Sequence, residues 1–239
     1  MKYYLGGYYF MKLRSANFGS WIGAKICTCS TYINDSYFDA WSISWSSSGK
    51  SGLKEAKEEF NLTSLQIKEI QSWADHKFEE KKIGWICTFS DFATLSEYKS
   101  IFFNTAEDYH IFSINFPEIE KDELIEEFLI KEKEIGAIGL CDNLQRQIPE
   151  VTDGSEKVIG YDLIGIEQSG DFHSFHCHDL SSSLVEKFNV QINQYGLIDN
   201  NHSWESLVKY MNDEENGFEP VPWFFVKVKM VEEKKKASA

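Results

Sequence analysis

The densest run of reactive side chains is His173-Ser174-Phe175-His176-Cys177-His178-Asp179. On a strand, side chains alternate between faces, so His176 and His178 share one side while His173, Cys177 and Asp179 share the other. Two imidazoles at i and i+2 supply half of a tetrahedral Zn²⁺ site, and a third ligand can arrive from across the sheet. His173 joins them only if a bulge reverses the alternation. No second cysteine pair and no helical H-E-x-x-H accompanies the run, so it also reads as a hydrogen-bonded strand face. The same alternation turns Cys177 away from its neighbouring histidines, which leaves its thiol without an adjacent activating base. A metal-dependent enzyme using His173, His176 and His178 is therefore one functional reading.

The other reading comes from the carboxylates. Residues 118–134 hold eight acids, among them Glu123, Glu126 and Glu127, against three lysines. Asp213-Glu214-Glu215-Asn216-Gly217-Phe218-Glu219 then sets four acids around one aromatic, followed by Pro220-Val221-Pro222. An aromatic embedded in charge and stiffened by prolines makes a pre-organised binding loop, provided Phe218 is not taken up by the core.

Two further motifs carry less. Gly49-Lys50-Ser51 ends a loop that follows a strand-like stretch, as a phosphate loop would, but Ser44 stands where the first glycine belongs. The backbone turn that cradles phosphates needs that glycine. Cys27-Thr28-Cys29 places both thiols on one strand face and lacks the C-x-x-C spacing of a redox or zinc motif.

The net charge of −14 is uneven: residues 1–53 carry five bases against two acids, a net +3, which leaves −17 for the rest. Binding nucleic acid relies on Lys and Arg to neutralise phosphates, so the charge disfavours that partner, none is expected, and a basic protein is favoured. Five scattered cysteines and no signal-peptide pattern point to a reducing, cytoplasmic setting. No run approaches the ~18 apolar residues of a membrane span.

The elements that must position these groups follow from periodicity. Residues 1–45 read mainly as strands, with a glycine kink at Gly6-Gly7 and strict alternation over Trp41, Ile43 and Trp45. Helical spacing covers 63–80, with Thr63 and Gln66 as a capping box, then 91–103, 121–133, 138–147 and 203–211. Ser183 and Glu186 predict a second capping box for a short helix ending near Phe188. Strands are expected at 110–116 and 223–230, with a hairpin joining 159–167 to 172–178. Helices and hairpin-linked strands together predict an α+β fold whose sheet is mixed or largely antiparallel, with amphipathic helices packed on it. Residues 1–231 are expected to form one domain, with 150–157 the stretch where it would divide, and 232–239 a disordered tail.

A small acidic α+β domain, a Gly160-Tyr161-Asp162-Leu163-Ile164-Gly165 strand opening, an aromatic strand at 172–178 and an acidic loop before the last strand give the chain a recognisable style. In that style it resembles the acidic cytoplasmic immunity proteins of bacterial polymorphic-toxin systems. The resemblance implies a non-enzymatic inhibitor that occludes a toxin, often a basic nuclease.

Overall fold

The computed structural model describes residues 1–15, 25–26, 58, 60–83, 88–104, 109–129, 138–167, 172–176, 180–200 and 203–232. In chain order the elements are β1 (Tyr3–Lys12), β2 (Arg14–Ser15), β3 (Lys25–Ile26), α1 (Ser64–Glu79), α2 (Phe92–Phe102), β4 (Tyr109–Pro117) and α3 (Glu118–Leu129). There follow α4 (Ile138–Gln145), β5 (Glu156–Ile166), β6 (Phe172–Ser174), α5 (Leu180–Phe188), α6 (Trp204–Met211) and β7 (Trp223–Val231). Five strands form one antiparallel sheet in the order β1-β4-β7-β5-β6, and β2 pairs with β3. The fold is α+β.

Local chemistry starts the helices where the sequence predicts. The Thr63 hydroxyl accepts from Gln66 N at 3.2 Å and the Gln66 side chain accepts from Thr63 N at 2.9 Å, closing the capping box of α1. Asp91 caps α2 through Thr94 N at 2.8 Å. The expected cap at Ser183 is corrected: α5 begins at Leu180, so Ser183 lies inside the helix. A local capping preference yields there to tertiary packing, since Leu184 of α5 is buried with Leu207 and Met211 of α6.

Both faces of the sheet are covered, and this is why β1, β4 and β7 carry long buried runs instead of simple alternation. On one face, Phe112, Ile114 and Phe116 of β4, Phe224, Val226 and Val228 of β7, and Ile164 of β5 pack with Leu124 of α3 and with Leu140 and Leu144 of α4. The opposite face carries two separate clusters. Phe10 and Ile111 lie with Ile67, Ile70, Leu95 and Tyr98 from α1 and α2, whereas Leu163, Trp223 and Phe225 lie with α5 and α6. Between these clusters the strands present Ser113, Asn115, Lys227 and Lys229, all buried.

The outer edge of β1 is closed by two short segments. Tyr8 exchanges backbone hydrogen bonds with Phe89, Leu5 N donates to Ile148 O, and Glu150 N donates to Tyr3 O. From Glu150 the chain crosses the sheet to begin β5 at Glu156, so the stretch 150–157 links strands that share one sheet. The alternation at 41–45, the loop around Lys50, and Cys27 with Cys29 lie outside the described residues. Among the described residues no helix is long and apolar enough to cross a membrane.

One glycine is required by geometry. The β5 register shifts between Val158 and Gly160, where Gly160 takes φ +148° and lies against residues 193–198. A Cβ there would meet the Leu197 Cβ at 2.6 Å and the Ile198 carbonyl at 3.1 Å. Gly160→Ala is expected to destabilise the fold by about 2 kcal/mol, from strained φ and overpacking together. Urea titration checks this as a lower midpoint at unchanged slope; a shift under ~0.5 kcal/mol would show that the bulge has room.

Candidate functional site

Three groups of polar side chains stand out, and two of them lie at one end of the sheet. Antiparallel register fixes that end. β4 runs into α3 at Pro117, β7 starts at Trp223, and β5 stops at Ile166, whose N–H donates to Pro222 O.

The histidine run is divided. His173 on β6 stands opposite Gly165, and its Nε2 lies 2.5 Å from Glu167 Oε1, just beyond the end of β5. The Glu219 carboxylate completes the group: one ligand atom from each of Glu167, His173 and Glu219 lies within 4.8 Å of the others. The Glu219 backbone is pinned by Trp223 Nε1–H and Val221 N–H, which both donate to its carbonyl, at 3.2 and 2.8 Å. The indole of Trp223 lies 6.4 Å from the His173 ring.

His176 takes another course. The strand ends at Ser174 and a turn begins, so the expected alternation does not continue to it. Its Nε2–H donates to Gly196 O at 2.5 Å, and its ring lies 4.1 Å from that of Phe175. Burial pulls its pKa down to about 4, against a smaller opposite effect of the Gly196 bond, so the ring is neutral at pH 7. His178, with Cys177 and Asp179, lies outside the described residues. The structure thus brings His173 together with Glu167 and Glu219, and commits His176 to Gly196. The observed hairpin register explains Glu167: with Gly165 opposite His173, Glu167 is a same-face diagonal neighbour of the imidazole, whereas a turn confined to 168–171 would have set Glu167 opposite Phe172. No short-range pattern gives Glu219, which arrives on a loop more than forty residues later.

The acidic elements adjoin this same end from opposite faces, α3 on the face of Phe112 and Val226 and the 213–219 loop beside the α5/α6 cluster. In α3, Glu123 and Glu126 are exposed, as are Glu118 and Asp122, while the side chain of Glu127 lies outside the described residues. Lys121 is turned inward, its ammonium 5.0 Å from the Tyr4 ring and paired with Asp122. In the loop before β7, the Asp213 carboxylate accepts from Glu215 N at 3.1 Å and caps a short 3₁₀ turn, which exposes Glu214 and Glu215. Gly217 closes the turn at φ +72°. Phe218 is half-buried, edge-on to Tyr210 at 5.2 Å, so one side of the ring serves the α5/α6 cluster. Family models, curated proteins and solved structures give no match to this chain.

Glu120 is the exception among the α3 acids, at 1% exposed. Its Oε2 accepts from Phe225 N at 2.7 Å. Extending the β4–β7 register places Pro117 opposite Phe225, where β4 has given way to the helix. The carboxyl therefore replaces a missing strand carbonyl. Burial outweighs that hydrogen bond and pushes the Glu120 pKa up to about 9, so the group is neutral at pH 7.

The third group, which sequence reasoning missed, is the polar row in the middle of the two-cluster face. Lys227 Nζ donates to both Glu150 oxygens at 2.9 Å and lies 3.4 Å from the centre of the Tyr3 ring. Lys229 Nζ lies 3.0 Å from Glu150 Oε2 and donates to Val151 O. Beside them, Tyr8 OH and Ser113 Oγ donate to the two oxygens of Glu156, at 3.2 and 2.7 Å. Burial alone would raise the Glu150 carboxyl, but the two lysines outweigh it and hold it below its usual range. Burial pushes the Lys227 ammonium down, partly offset by Glu150. These are mutually satisfied, nearly enclosed groups, and they act as a tie that fastens the crossing segment to β7.

Proposed function

We propose that this protein is a protein-binding module that receives a basic partner on the acidic end of its sheet. One observation supports the reading: α3, which leaves β4 at Pro117, and the 213–219 loop, which leads into β7 at Trp223, are nearly a hundred residues apart in sequence, yet both carry exposed carboxylates and both adjoin the same end of the sheet, from opposite faces. Like charge on both sides of one sheet end makes a negative potential that steers and orients a positive surface. The half-buried Phe218 adds an apolar edge within that field. The finer form of the reading is an immunity-type inhibitor, non-enzymatic, acting in the cytoplasm of a bacterial cell by covering a basic toxin. This reading is preferred to catalysis by paired histidines because the described imidazoles face different partners, Glu167 for His173 and Gly196 for His176.

Capture from lysate of the native host is expected to return a basic protein at low salt and to release it at high salt, where exposed charges are screened. The fourfold variant Glu123→Gln, Glu126→Gln, Glu214→Gln, Glu215→Gln is expected to slow association about tenfold or more, with little change in folding stability. A partner retained equally by the variant, or no partner at any salt, would overturn the reading.

A further inference from the structure

We propose that Glu167, His173 and Glu219 form a divalent-cation site, with Zn²⁺ the best-matched ion. The case begins with where the three side chains come from. They are supplied by the end of β5, by β6 of the same hairpin and by the loop entering β7, more than forty residues further on. The imidazole is 6% exposed while both glutamates are half-buried, so a nitrogen ligand is fixed at the base and two oxygen ligands stand at the mouth. A doubly charged ion held by all three would offset both carboxylates at once. The acids of the adjoining 213–217 turn deepen the negative potential and favour a cation further.

The donor set selects among ions. One imidazole nitrogen with two carboxylates suits Zn²⁺, and Mn²⁺ after it; the nitrogen disfavours Ca²⁺ and Mg²⁺, which prefer all-oxygen shells. Ligands on a common Zn²⁺ at ~2.1 Å stand no more than ~4.2 Å apart. The present limit of 4.8 Å is within reach of a small rotation of either half-buried glutamate. Nε2 is the contact atom in either state: it faces Glu167 in the free protein and would face the ion in the bound one. Three protein ligands leave a fourth position on a tetrahedral ion open to water or to a donor from outside. The proposal does not depend on a basic partner.

The test uses the full chain, without an affinity tag, stripped by chelator and dialysed. Calorimetric titration with ZnCl₂ is expected to show one site, and the melting temperature is expected to rise on addition of Zn²⁺ but not of Ca²⁺. Glu219→Gln and Glu167→Gln preserve size and are each expected to weaken Zn²⁺ binding tenfold or more, whereas Glu123→Gln with Glu126→Gln leaves it unchanged. Co²⁺ substitution adds a direct signature, visible ligand-field bands that are lost in Glu219→Gln. Absence of a stoichiometric site overturns the proposal. So does Zn²⁺ binding undiminished in both Glu219→Gln and Glu167→Gln, which would assign the ion to scattered surface carboxylates. Should His173→Gln fail to fold, the two glutamine variants still decide.

Discussion

Glu150→Ala is expected to lose about 3–5 kcal/mol of folding stability, the largest effect of any single side chain removed from the tie between Glu150, Lys227 and Lys229. Two ammonium groups share this one carboxylate, at 2.9 and 3.0 Å, and both lysines are nearly enclosed. Removing it leaves two buried positive charges on adjacent rungs of β7, beside an aromatic ring and a neighbouring carboxyl that cannot replace it. Lys229 stands 4.0 Å from Glu156, whose oxygens already accept from Ser113 and Tyr8. The sign with pH follows from the carboxyl's depressed pKa. Its contribution is present above the ordinary value of 4.5 and is lost as pH falls through the lower folded value, so the variant and the parent converge in acid. The triple change Glu150→Leu, Lys227→Met, Lys229→Met should recover most of the loss, because apolar groups of similar volume often substitute for a buried ionic cluster without penalty. Urea unfolding at pH 7 and pH 4 measures both claims. A loss below ~1 kcal/mol at pH 7 would mean that water reaches the lysines.

That tie marks the boundary of what the amino-acid order reveals. Elements defined by short-range chemistry were legible: Thr63 with Gln66 announces α1, and Asp91 stands before α2. The hairpin joining β5 to β6 was legible from the polar stretch between Glu167 and Phe172, but its register was not: the structure sets Ile166, not Glu167, opposite Phe172, and this brings Glu167 to the His173 side. Lys227 and Lys229 mislead for a physical reason. Apolar and charged residues alternating on a strand normally denote one dry and one wet face. In β7 both faces are dry, because the crossing segment brings Glu150 and Val151 over the lysines. The burial of those charges is thus a property of a chain path that begins some seventy residues upstream. The same holds for the acidic end of the sheet. Composition shows the excess of carboxylates, but only the antiparallel register sets α3 and the 213–219 loop at the same end of the sheet. Glu120 sits in a run of acids and has no feature of its own that distinguishes it from exposed Glu123; its burial follows from Pro117 ending β4 opposite a strand that continues.

Glu120→Gln is expected to change the pH dependence of stability. In the parent, the carboxyl is neutral when folded, with a pKa near 9 against an ordinary 4.5, and it ionises on unfolding. Its favourable contribution is therefore complete below about 4.5 and is lost as pH rises through about 9, at about 1.4 kcal/mol per pH unit between. Glutamine keeps an oxygen acceptor for the Phe225 N–H and cannot ionise, which removes that slope. His176 acts in the opposite sense. Its folded pKa near 4 lies below the ordinary 6.5, so its contribution is full above about 6.5 and is lost as pH falls through about 4. In the parent the two slopes oppose each other between pH 4.5 and 6.5, and Glu120 tilts the profile downward above that. The variant lacks that downward contribution. The difference between the two proteins isolates the carboxyl from every other titrating group: close to zero at pH 4.5, it should reach ~4 kcal/mol or more in favour of glutamine by pH 8. Urea unfolding at pH 5, 6.5 and 8 measures that difference directly. A gap that does not widen with pH would mean that Glu120 folds as a carboxylate, and the strand-capping role would then belong to a charged group.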